Sequence, residues 1–201
     1  MKRVLWDVDT QVDFVHADGK LAVPDAEAAV PAMARLVDWA RTEGIPHVAS
    51  ADDHELTDPE ISETPDYSTT YPPHCLRGTR GAEKIAQTAQ RDPVPLALTE
   101  VPEKWLRGRE FLLLKKHFDV FTNPNTDRLL ELLDSEEVVV FGVATDVCND
   151  AAIRGLLARG RRVSFVEEAS RGLDEERTAA CIRDWREQGV RFATVDEIVG
   201  S

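Results

Sequence analysis

Six short apolar runs punctuate the chain: RVLWDV at 3–8, PHVAS at 46–50, FLLLK at 111–115, EVVVF at 137–141, RVSFVE at 162–167 and VRFATV at 190–195. They read as near-continuous hydrophobic stretches rather than as strict alternation, the pattern of strands buried on both faces. Helical segments lie between them. Pro31 to Glu43 is closed by Gly44, and Asn123-Pro124 supplies a cap and a first-turn proline ahead of Leu129, Leu130, Leu132 and Leu133. Residues 147–159, closed by Gly160, and 174–188, closed by Gly189, repeat the design. Strands joined through helices predict an α/β fold: a three-layer α/β/α sandwich around a six-stranded, mostly parallel, doubly wound sheet, with residues 1–201 as one domain. One segment breaks the rhythm. Residues 51–110 carry most of the prolines, show a helical pattern only from Glu83 to Arg91, and have the length of a lid or binding loop.

Composition narrows the partners. The 201 residues, 42% hydrophobic, suffice for a sizeable core. Lys and Arg number 24 against 37 Asp and Glu, a net charge of −13, which argues against nucleic acid as a partner. No run approaches the roughly 20 apolar residues that span a bilayer, and the N-terminus shows no apolar signal core, so a cytoplasmic protein without a membrane partner is expected. Three cysteines, Cys75, Cys148 and Cys181, form an odd and sparse set suited to reduced thiols.

In an open parallel sheet, ligands bind at the carboxyl ends of the strands, and the reactive residues of this chain collect there. The first strand runs into Asp9, the second into Asp52 and His54, the third candidate ends on Lys115, and the fourth leads through GVATDV to Cys148. Cys148 opens a predicted helix, whose free N–H groups and dipole favour a thiolate; the plainer alternative is a small buried hydrophobe. Cys75 and Cys181 carry only that plainer reading. Asp9, ending an apolar strand, suits a general base. Lys115 and Lys116 must face opposite ways, so one of them alone reaches the rim. Asp52 and His54, spaced i, i+2, share one side of an extended segment, and His74 could fold back as a third ligand for zinc, iron or manganese.

Six collinear blocks then resemble a known family: DTQVDF at 9–14, GKLAVP at 19–24, SADDH at 50–54, YPPHCLRGTRGAE at 71–83, KKHFDVF at 115–121 and GVATDVC at 142–148. Together they resemble the isochorismatase-like cysteine hydrolases and, within them, the nicotinamidase/pyrazinamidase group. The resemblance implies a catalytic Asp9, Lys115 and Cys148. It also implies a cis peptide between Val143 and Ala144, an oxyanion hole from the N–H groups of Ala144 and Cys148, and a substrate pocket with Phe14, Tyr71 and Val143. The metal ligands it implies are Asp52, His54 and His74, for a divalent ion with zinc ahead of iron or manganese. The chain departs from the group at several points. Asp53 stands where an aromatic is usual, and ELTDPEISET at 55–64 lacks a further histidine, leaving Glu60 or Glu63 as a substitute. Tyr71 replaces a tryptophan, Asn149 and Asp150 follow the nucleophile, and Lys116-His117-Phe118 stands in place of a glycine.

The implied activity is hydrolysis of nicotinamide or a similar heteroaromatic amide through a thioester. The alternatives are another C–N hydrolase of the superfamily acting on a ureido, carbamoyl or aliphatic amide, and a non-catalytic binding protein on the same fold. A small-molecule amide is the expected partner, with homo-oligomers an open option because no residue pattern marks an interface.

Overall fold

The structure, a computed structural model, describes residues 2–200. Its sheet has seven parallel strands, not six. They are β1 (Arg3–Val8), β2 (His47–Asp52), β3 (Val94–Leu96), β4 (Glu110–Lys115), β5 (Glu137–Val143), β6 (Arg162–Arg171) and β7 (Arg191–Phe192), in the order β3-β4-β2-β1-β5-β6-β7. The added strand, β3, lies inside the stretch expected to be irregular. With three residues and a central proline it leaves no hydrophobic pattern, and the edge position tolerates Pro95 because one side of the strand needs no ladder bond.

Helices cover both faces. Short α1 (Val12–Val15), long α2 (Ala26–Glu43) and C-terminal α6 (Val195–Val199) pack Met33, Leu36, Val37, Val195 and Ile198 against Leu5, Val139 and Phe141. On the opposite face α3 (Thr126–Leu133), α4 (Asp150–Ala158) and α5 (Glu175–Glu187) pack Leu129, Leu130, Ile153, Leu156 and Trp185 against Val4, Trp6, Val138 and Val140. Alternate residues of β1 and β5 thus feed two separate cores, the period of two expected of a strand covered on both sides. Helix α2 begins five residues before Pro31, whose missing N–H costs only one bond just beyond the first turn. It ends at Gly44, whose left-handed backbone (φ 66°) directs its N–H to the Ala40 carbonyl. Among the described residues, no helix is long and apolar enough to cross a membrane.

The helix expected from Glu83 to Arg91 is absent. That segment instead runs beside residues 10–12: Val12 N–H donates to the Glu83 carbonyl and Ile85 N–H to the Thr10 carbonyl, both at 2.9 Å. Backbone groups that a helix would have used internally are spent on this neighbour.

The register of the sheet sets the rim. Asp52, last in β2, lies opposite Lys115, last in β4, while Val8 of β1 lies opposite Gly142 of β5. The carboxyl ends of four strands therefore meet in one place.

Candidate active site

Lys115 occupies the centre of that rim. Successive residues of β4 alternate between buried and half-buried, so Lys115 is directed inward with no exposed surface. Its neighbour Lys116 turns away to pair with Asp58 at 2.6 Å, so Lys115 is the lysine that faces the rim. Lys115 Nζ lies 2.9 Å from Asp9 Oδ2, 2.5 Å from Asp52 Oδ1 and 3.8 Å from Cys148 Sγ. Burial alone would lower this amine's pKa, but the Asp52 and Asp9 carboxylates hold it well above the ordinary lysine range, so it stays a cation.

Asp9 follows β1 with a left-handed backbone, φ 49°. Ser50 Oγ donates to its Oδ1 at 2.7 Å, while Oδ2 takes no aligned hydrogen bond among the described residues. Burial pushes the Asp9 carboxyl up, Asp52 adds to this, and Lys115 opposes it; the net shift is upward. Cys148 sits in a π-helical turn, Thr145–Asn149, which follows a cis peptide between Val143 and Ala144 and runs into α4. A thiolate favoured by the helix terminus does not emerge. Burial drives the Cys148 thiol well above its usual pKa, Asp9 and Asp52 reinforce that, and Lys115 only partly offsets it. The resting group is a thiol with a carboxylate close by.

A second cluster abuts the first. Asp52, His54, Glu60 and His74 are all buried, and each offers a ligand atom within 4.8 Å of the others. Asp52 Oδ2 is 3.4 Å from His74 Nε2 and 3.7 Å from His54 Nε2. Both imidazoles are held from behind. The Nδ1 of His74 lies 2.7 Å from the Pro72 carbonyl and that of His54 3.3 Å from Asp58 Oδ2. Donation at Nδ1 leaves the Nε2 lone pairs facing the cluster, the arrangement of metal-binding histidines. His54 Nε2 is buried without a hydrogen-bond partner among the described residues. Two imidazoles, two carboxylates and an orphaned buried nitrogen fit a divalent cation.

The structure brings Glu60 into this set and leaves Glu63 exposed outside it. Asp53 points away and pairs with Arg77 at 2.5 Å, so Asp52 is the inward carboxylate. Burial would raise the Asp52 pKa, but Lys115, His54 and His74 hold it well below the usual range.

Between the clusters lies a narrow pocket whose free volume is about 20 Å³. Phe14 and Tyr71 form walls, as expected, together with Leu21, Phe118, Val147 and Leu173; Ala144 and Cys148 line one side, and Asp52, Glu60 and His74 another. No Lys or Arg side chain lines it. Val143, expected at the substrate, is corrected: as the last residue of β5 it turns its side chain into the core among Phe141, Val166 and Ala169 and has no exposed surface. The walls missed in sequence, Leu21 and Leu173 above all, come from connections with no chemistry of their own to mark them. A larger groove, about 840 Å³, opens at the amino ends of β2 and β4 near Ile45, Trp105 and Glu110, away from the two clusters.

The Isochorismatase domain description matches residues 4–197. The chain belongs to the isochorismatase family. Family relatives include a nicotinamidase from Escherichia coli, 28% identical over 189 residues that span 86% of this chain and 84% of that protein. A nicotinamidase/pyrazinamidase from Mycobacterium tuberculosis is 29% identical over 194 residues, 94% of this chain and 97% of the relative. Among solved structures, the pyrazinamidase of Pyrococcus horikoshii in complex with zinc superposes with a TM-score of 0.76 at 21% identity, covering 96% of this chain and 99% of that one. This likeness establishes the shared isochorismatase fold.

Proposed function

We propose that this isochorismatase-family protein is a metal-dependent cysteine amidohydrolase that releases ammonia from nicotinamide or a similar flat heteroaromatic amide. The observation that carries the reading is a small, aromatic-walled pocket with Cys148 at one side, backed by buried Lys115 and Asp9, and Asp52, Glu60 and His74 of the buried metal-ligand cluster at the other. The names of its curated relatives support the same reaction.

In this mechanism Asp9 takes the thiol proton of Cys148 as Sγ bonds to the amide carbon. Lys115, tied to both carboxylates, holds Asp9 in place and offsets the charge that develops on sulfur. The backbone N–H groups of Ala144 and Cys148 serve the tetrahedral oxyanion, a contribution worth on the order of 3 kcal/mol per donor in other hydrolases. Collapse breaks the C–N bond, Asp9 returns its proton to the departing nitrogen, and ammonia leaves a thioester. Asp9 then takes a proton from water, hydroxide adds to the carbonyl, and the C–S bond breaks to give the acid and the free thiol. Asp52, His54, Glu60 and His74 would hold a divalent ion, zinc by the donor set, which when bound offers a Lewis-acid contact to a ring nitrogen and so orients the substrate.

The test is ammonia release from nicotinamide by metal-loaded protein, with Cys148→Ala as the blank. Turnover lost in the variant supports the reading. Silence with nicotinamide but turnover of a carbamoyl or ureido amide would replace it, and silence with all amides would leave a binding protein.

A further inference from the structure

A second ion pair lies beneath the active site, in a part of the fold that the proposed chemistry does not use. Asp7, next to last in β1, has no exposed surface, and Lys84 Nζ reaches its Oδ1 at 2.9 Å. The same ammonium donates to the Ser50 carbonyl at 3.3 Å, and His47 Nε2 stands 3.5 Å from Asp7 Oδ2. Asp7 Oδ1 also accepts from the Thr10 hydroxyl at 2.8 Å, and that hydroxyl meets Thr88 Oγ1 at 2.5 Å. The Thr10 carbonyl accepts from Ile85 N–H at 2.9 Å. Thr10 is therefore gripped at side chain and backbone by residues 84–88 and by Asp7.

These contacts converge on Asp9. It lies between Asp7 and Thr10 in the chain, its backbone is left-handed at φ 49°, and its carboxylate is fixed by Ser50, whose carbonyl Lys84 also holds. Aspartate tolerates this backbone better than most residues, and at Asp9 the contacts on either side of it fix which way the side chain then points. We infer that Asp7, Thr10 and Lys84 are positioning residues: they brace Asp9 in the left-handed conformation that directs its carboxylate toward Lys115 and Cys148. The inference rests on the hydrolase reading above for its kinetic consequences, though not for its structural ones. It also gives a reason for residues 83–85 to run beside residues 10–12 before the chain turns at 85–89, since a regular helix from Glu83 would withdraw Lys84 from Asp7 and Thr88 from Thr10.

The first test compares Thr10→Val, which keeps the shape and removes the hydroxyl, with Thr10→Ser, which restores it. For nicotinamide hydrolysis, kcat per alkylatable Cys148 should fall by about ten- to a hundredfold in Thr10→Val, with KM within about twofold, and should recover in Thr10→Ser. A part that merely stabilised the fold would lower Tm and leave kcat per titrated site unchanged, and that result overturns the brace. Because Lys84→Met alone would leave Asp7 buried and unpaired, the second variant is Asp7→Asn/Lys84→Met, which removes both charges together.

A crystal structure of the double variant needs no substrate. Asp9 should leave the left-handed region and its 2.9 Å contact with Lys115 should open; coordinates superposing on the parent overturn the inference. Failure of the unaltered protein to hydrolyse nicotinamide would count against the hydrolase reading alone, and this structural result would still decide the brace.

Discussion

At the residue scale the site is a contest between burial and charge. Cys148 and Asp9 are both pushed upward by desolvation, and Lys115 opposes the shift at both, helped at Asp9 by the Ser50 hydroxyl. Cys148 should accordingly react slowly with iodoacetamide at neutral pH and faster as the pH rises into the alkaline range, and fast alkylation at pH 7 would contradict the thiol resting state. For turnover Asp9 must begin as the carboxylate. Since its folded pKa is raised, activity should fall with decreasing pH along a limb that starts above the ordinary carboxylate range, as the kcat/KM profile would reveal. Cys148→Ala should lower kcat by a factor on the order of 10⁴ or more while substrate binding stays measurable by calorimetry. The reactive residues were legible in the sequence because each needs a definite side chain at a strand end. What could not be read was their ionisation, because depth of burial depends on walls such as Leu173 and Phe118 that come from elsewhere in the chain.

At the scale of elements, strand ends and one tight approach aim the groups. Gly142 in β5 has φ 125°, and a Cβ there would stand 2.1 Å from the Val8 carbonyl oxygen in β1. Gly142→Ala should destabilise the protein by more than about 3 kcal/mol, read as a lowered urea midpoint, since backbone strain and overpacking act together. Asp58 tests the support of the metal-ligand candidates, because it holds Nδ1 of His54 and pairs with Lys116. Asp58→Asn should weaken zinc binding about 10- to 100-fold by competition with a chromophoric chelator, with little change in the overall fold. The strands with long apolar runs were legible. β3 was not, since its three residues carry a proline, and the course of residues 83–85 beside residues 10–12 was not, since the preference for it comes from hydrogen bonds to that neighbour rather than from its own pattern.

Over the whole molecule, charge is both abundant and unevenly placed. The chain carries a net −13, and the buried site adds to the imbalance: Asp9, Asp52 and Glu60 stand against Lys115 as the one permanently charged cation, a deficit of two when all three acids are ionised. A divalent ion on Asp52, His54, Glu60 and His74 would cancel that deficit. Without it, burial and the Asp52 charge raise the Asp9 and Glu60 pKa values against the pull of Lys115. A carboxyl whose folded pKa exceeds its unfolded one stabilises the fold below the unfolded value and loses that contribution as pH rises through the folded value. The chelated protein should therefore lose stability as the pH rises above about 4, the ordinary carboxylate range. Zinc should restore it, by an amount that grows with pH because proton competition for the ligands fades over the same interval. Thermal melts with and without chelator at pH 5 and pH 7 measure this directly. The expected outcome is a larger zinc-dependent rise in Tm at pH 7; no rise at either pH would mean that the four residues hold no ion, and an equal rise at both would mean that zinc binding is not linked to the protons on Asp9 and Glu60.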